Sequence, residues 1–124
     1  MEKQGWVSIW LGNISEEDSI EEYVDLTYDK EGESVPSKFF IDFNIDMDET
    51  DEDTIEKAVL KNSSSDISAL LDGCSYEEII ITKINKRIDL KESYNAVILI
   101  YNFEYTNEIT STDAFDFITS TKYE

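Results

Sequence analysis

The chain has 124 residues, 40% of them hydrophobic and 12% aromatic, with 29 acidic against 10 basic side chains and a net charge of −19. That length suits one domain with one core, and the apolar content offsets the entropy of ordering it, so acidity here does not imply disorder. The absence of His and the single Cys74 exclude His-based triads, His general bases, His metal ligands and an intrachain disulfide, while the negative field repels phosphate backbones and anionic membranes.

The charge is uneven: from Ser15 to Glu56 there are 17 acidic residues and only Lys30 and Lys38 as cations, a net of −15. Such a region steers cationic partners toward itself over a screening length of about 8 Å. The N-terminal Met-Glu-Lys-Gln-Gly-Trp lacks the apolar run of a signal peptide, and the longest apolar stretch, Ala96 to Tyr101, is far short of a membrane span. A cytoplasmic protein without membrane contact is expected.

In chain order, Trp6 to Leu11 is rich in aromatic and β-branched residues and reads as a strand that exits at Gly12-Asn13. Ser15-Glu16-Glu17-Asp18 places carboxylates in the first turn of an amphipathic helix, with Ile20, Tyr23, Val24 and Thr27 on one side. Asp29 to Glu33 is a charged loop, and Pro36-Ser37 leads into a short helix carrying Phe39, Phe40 and Phe43. After the acidic run Asp46 to Asp53, Thr54 to Lys61 reads as a second strand and Ser63-Ser64-Ser65 as a turn. Asp66 to Asp72 is a short helix stopped by Gly73, and Ser75 with Glu78 forms a capping box for a helix from Tyr76 to Ile88.

Asn95 to Tyr105 is the clearest strand, apolar on both faces and therefore central, with Tyr101, Phe103 and Tyr105 expected on one face beyond Ile100. Phe115 to Ile118 is expected to return as its hairpin partner. The predicted fold is a single α+β domain over residues 1–124: a small mixed or antiparallel sheet of about four strands with helices packed on it, in the order β-α-α-β-α-α-β-β.

Chemistry-bearing patterns are few. Cys74 has no C-x-x-C partner, and no Gly-rich phosphate loop is present, so no nucleotide cofactor has a cradle. Paired carboxylates alone can hydrolyse glycosides, but no Asp or Glu pair sits in the apolar setting that would raise one pKa. Asp42, Asn44, Asp46 and Asp48 follow calcium-loop spacing, yet Met47 replaces the turn Gly, Glu49 the apolar eighth residue and Asp53 the final Glu. No enzyme, cofactor or dedicated metal site is expected, and the acidic run is either an exposed anionic knob or a solvated connector.

Four segments together carry a family resemblance: Val7 to Asn13 followed by Ser15-Glu16-Glu17, Val35-Pro36-Ser37 with Phe39 and Asp42-Phe43, Ile45-Asp46 with the acidic run after it, and Asn95 to Tyr105. In this order and spacing the chain resembles immunity protein 22 of bacterial polymorphic toxin systems. Asn44 stands where that family is expected to carry Gly.

The resemblance implies a cytoplasmic protein that binds the C-terminal domain of a cognate toxin and has no catalytic residues; a monomer is expected. A basic, nuclease-type toxin would fit the charge. The residues expected at the interface are Asp46, Asp48, Glu49, Asp51, Glu52 and Asp53, then Glu16 and Glu17, with Tyr28 as an aromatic anchor. Two other classes fit an acidic binding domain: a DNA mimic competing for several basic proteins, and an adaptor that binds through its aromatic strand edges with little salt dependence.

Overall fold

In a computed structural model that describes residues 2–14, 20, 23, 26–28, 34–36, 38–45, 50, 52–85, 88, 90, 92–112 and 115–123, four strands make one open sheet. They are β1 (Glu2–Gly12), β4 (Ile55–Ser64), β5 (Tyr94–Phe103) and β6 (Phe115–Lys122), and they lie side by side as β4-β5-β1-β6, each neighbouring pair antiparallel. Two three-residue strands, β2 (Leu26–Tyr28) and β3 (Ser34–Pro36), pair separately. Also described are three short helices, α1 (Lys38–Asp42), α2 (Ile67–Leu70) and α3 (Glu77–Ile84), and a 3-10 turn at Glu52–Thr54. This is the expected α+β fold around a four-stranded sheet.

The sheet is covered on both faces, which is why β5 is apolar along its whole length. On one face Trp10, Ile98 and Ile100 pack against Phe39, Phe40 and Phe43 of the α1 region, with Tyr105 and Phe115 closing the cluster. The Trp10 ring is surrounded by Phe39, Phe43, Tyr105 and Phe117 at centroid distances of 5.0 to 5.9 Å. On the other face Val7, Ile9, Leu11, Val97 and Leu99 meet Ile67 and Leu70 of α2 and Ile80 and Ile84 of α3. The predicted Phe helix and the Ile80/Ile84 spacing are both realised as core-facing stripes.

Several local expectations are corrected. β6 pairs with β1, not with β5, so no β5–β6 hairpin forms. β5 is already flanked by β4 and β1, so β6 takes the other side of β1. Thr27 lies in β2 opposite Val35 rather than on the amphipathic helix, of which Ile20 and Tyr23 are helical and the remainder falls outside the described residues. Ser63 and Ser64 extend β4 instead of turning, because Ser64 pairs with Tyr94 across a register shift after Val59.

The Ser75–Glu78 capping box does not form. Tyr76 precedes α3 in the left-handed conformation at φ 61°, with no side-chain cap, and Glu77 instead accepts the Gly73 N–H at 2.8 Å. Gly73 itself, at φ 87°, ends the preceding helical turn as predicted. Regular helix stops at Ile84, although the Ile88 N–H still bonds the Ile84 carbonyl; Lys86 and Arg87 lie outside the described residues.

Asn102 supplies the last correction. Its φ of 59° breaks the alternation of β5, so Tyr101 faces the α2/α3 side while Phe103 and Tyr105 face the Phe cluster. Opposite it, Gly5 adopts φ 83° in the bulge of β1 between Glu2 and Val7, and the Gly5 N–H donates to Asn102 Oδ1 at 3.0 Å.

Candidate functional site

Of the acidic interface expected from the sequence, Asp46, Asp48, Glu49, Asp51, Glu16 and Glu17 lie outside the described residues. Glu52 begins the 3-10 turn and Tyr28 ends β2, but the side chains of both are likewise outside what is described; Asp53 is exposed. The structure fixes the two ends of the acidic run. At its start, Phe43 and Ile45 are buried, and Asn44 takes φ 54°, a conformation in which Asn is the usual alternative to Gly. Asn107 Nδ2 donates to the Asn44 carbonyl at 2.7 Å, and the Tyr105 hydroxyl lies 2.9 Å from the Phe43 carbonyl, so this base is tied to the chain following β5. At its end, the Glu52–Thr54 turn leads directly into β4.

The calcium-like spacing is described only at its beginning. There the Asp42 carboxylate accepts the Tyr23 hydroxyl at 3.0 Å. No group of three or more potential metal-ligating side chains occurs among the described residues.

A second surface was not anticipated. β4 is an outer strand of the sheet, and Lys57, Ala58, Val59, Lys61, Asn62 and Ser63 are exposed along it. Between β4 and α2 runs an open groove of about 490 Å³ whose walls include Ala58, Leu60, Ala69, Leu70 and Asp72. It continues into a smaller hollow of about 130 Å³ lined by Glu56, Gly73 and Cys74. Both Glu56 carboxylate oxygens accept the Ser75 N–H at 3.2 Å, which holds that carboxylate at the mouth of the hollow.

Beside it stand three tyrosines: Tyr76 is 54% exposed and stacks obliquely on Tyr123 at 4.7 Å, and Tyr123 meets Tyr101 edge-on at 5.2 Å. The Tyr101 hydroxyl donates to the Ser75 carbonyl at 2.7 Å. Burial, then the nearby Cys74 and Glu56, push the Tyr101 phenol well above its ordinary pKa. Burial and the Glu56 charge push the Cys74 thiol up to about 11, so it is a thiol rather than a nucleophilic thiolate at neutral pH. The arrangement therefore offers contact area, hydrogen bonds and negative charge, with no activated nucleophile at Cys74. The signal that would have revealed it was the pair Lys57 and Lys61, cations at alternating positions of a strand in a chain otherwise poor in them, which is a mark of a sheet edge.

None of the helices formed by the described residues is long and apolar enough to cross a membrane. No curated protein and no solved structure matched the chain. A family model described as Immunity protein 22 matches residues 7–124, covering nearly all of the fold from the core of β1 onward. The chain thus belongs to the immunity protein 22 family, which supports a toxin-neutralising immunity role.

Proposed function

We propose that this protein neutralises a basic, nuclease-type toxin domain in the cytoplasm by binding it through an acidic surface, without turning over any substrate. The observation that carries the reading is the concentration of charge, a net of −15 between Ser15 and Glu56, in a chain of the immunity family. A nuclease cleft lined with Lys and Arg binds phosphates, and a protein with many carboxylates close together in sequence competes for the same cations. Long-range attraction raises the association rate, while desolvated aromatic and charged contacts slow dissociation. Asp46, Asp48, Glu49, Asp51, Glu52 and Asp53 are the proposed contacts, with Glu16 and Glu17 beside them and Tyr28 as an aromatic anchor. Anchoring of the run at Ile45 and at the Glu52–Thr54 turn supports this role, because a tethered segment loses less entropy on binding than a free one.

The test is association of the purified chain with the toxin domain encoded beside its gene, at two salt concentrations, together with rescue of cells expressing that toxin. Tight binding that weakens with salt and protects cells is the expected result; absence of both binding and rescue refutes the reading. Replacing Asp48, Asp51 and Asp53 together by Lys should slow association at low salt by about tenfold or more. Folding stability should change by less than about 1 kcal/mol. An unchanged association rate would remove the acidic run from the mechanism.

A further inference from the structure

We infer that the outer edge of β4 receives an extended strand of the toxin domain, which adds to the sheet and lays alternate side chains into the groove between β4 and α2; this rests on the toxin-binding reading above. Among the described residues, Ile55–Ser64 makes no backbone bond to another element other than pairing with β5. A ten-residue strand therefore presents a row of free donors and acceptors to solvent. The register with β5 is regular from Ile55 to Val59 and resumes only at Ser64, so the intervening residues are held less by the sheet than their neighbours.

The groove defines the chemistry of the occupant. Its floor, with Ala58, Leu60, Ala69 and Leu70, fits an apolar side chain. Asp72 and Glu56, at the end that opens into the smaller hollow, fit a Lys or Arg. Lys57 borders the hollow and Lys61 the groove, but the pairing of Lys57 with Ile98, a residue of the Phe cluster, sets the Lys57 side chain on the opposite face of the strand from Glu56. A basic toxin strand with an apolar residue two positions from a cation is complementary to this arrangement.

A second copy of the chain is not. Antiparallel self-pairing centred on Val59 would set Lys57 of each copy directly against Lys61 of the other, and like charges in directly opposed positions are destabilising. The carboxylates of the groove would likewise face an acidic protein.

Hydrogen exchange of the full chain, free and bound to the toxin domain, tests the inference together with the affinity of an Ala69→Arg variant. Ala69 is exposed on α2, so Arg fills the groove without entering the core. Alternate amides of Ile55–Ser64 should become protected in the complex, and Ala69→Arg should weaken binding by about 30-fold or more. Ile109→Arg, on the exposed loop beside β6, should leave affinity unchanged. A complex that leaves β4 amides unprotected and tolerates Ala69→Arg overturns the strand-docking inference alone. No complex with the wild-type chain overturns the toxin-binding reading and this inference with it.

Discussion

The two edges of the sheet are treated differently. At β6 the chain folds back over its own edge: the Phe117 N–H donates to the Thr110 carbonyl and the Thr112 N–H to the Phe115 carbonyl, each at 2.8 Å. Asp116 binds the Ser111 hydroxyl from the same strand, and Lys83 of α3 donates to the Lys122 carbonyl at 2.9 Å. Among the described residues no such strap lies along β4, where Lys57 and Lys61 guard the edge. A strap blocks every partner, whereas two lysines reject another copy of the same strand and leave the backbone open to a different one. The contrast separates an edge closed for stability from an edge kept available for binding.

If closure of the β6 side is structural, its knots should carry stability. The largest effect is expected at Asn102, whose Oδ1 accepts both the Gly5 N–H and the Tyr123 hydroxyl, the latter at 2.6 Å. Asn102→Ala places a Cβ-bearing residue with no compensating side chain in the left-handed region and leaves the buried Gly5 amide unpaired. Together these should cost about 2–3 kcal/mol in urea denaturation, and Asn102→Gly should recover about 1 kcal/mol of that. A smaller effect is expected at Asp116, which also accepts the Tyr94 hydroxyl at 2.7 Å. Asp116→Ala should cost about 1–2 kcal/mol and speed amide exchange in Phe115–Phe117 without altering β4. Equal acceleration at β4 would erase the distinction between the edges.

Alkaline pH separates the two sides in another way. Tyr94, raised by burial and then by Asp116, lies toward β6; Cys74, raised first by burial, lines the hollow at β4, and Tyr101, also raised first by burial, stands next to Cys74. A group whose folded pKa exceeds its unfolded value holds its proton more tightly when folded, so its contribution is complete below the unfolded pKa and disappears as pH rises through the folded one. For Cys74 that window runs from 9.0 to about 11, and the tyrosines extend the loss to higher pH. Stability should therefore fall from about pH 9 upward, and Cys74→Ala should flatten the first part of the fall. A thermal-denaturation series in which the wild type and Cys74→Ala decline identically between pH 9 and 11 would show that this thiol is not protected as its burial requires.

Much of the scaffold was legible because it is written in local patterns. Uninterrupted apolarity identified β5 as central, the Phe39-Phe40-Phe43 spacing identified α1, and Gly73 marked a stop. What escaped was decided by distant or single-residue events. The partner of β6 depends on which strand has a free side once the sheet is ordered, and no periodicity within Phe115–Lys122 encodes that. Asn102 reverses the facing of Phe103 and Tyr105 through one backbone angle, and nothing in its neighbours announces a left-handed Asn. Tyr76 takes a conformation that sequence preference would assign to Gly or Asn, and so displaces the cap expected from Ser75 and Glu78. The proposed acidic interface rests on charge alone, since charge is additive along the chain, whereas being an edge is a property of the whole sheet.

The smallest change in folding stability belongs to the lysines, and it makes the sharpest use of the comparison. Lys57 and Lys61 are exposed, so replacing both with Thr should leave unfolding within about 0.5 kcal/mol of the wild type. It should nevertheless remove the repulsion that opposes antiparallel self-pairing about Val59, itself an exposed apolar residue. The wild type is expected to sediment as a monomer and the Lys57→Thr/Lys61→Thr chain to associate at high protein concentration, more strongly as salt screens its net negative charge, which exceeds the wild type's −19 by the two lysines lost. The same pair of substitutions would leave the strapped β6 edge untouched, so cross-linking should trap β4 against β4. A double variant that stays monomeric at high salt would mean that the lysines do not guard the edge, and that some other property of β4 keeps it free.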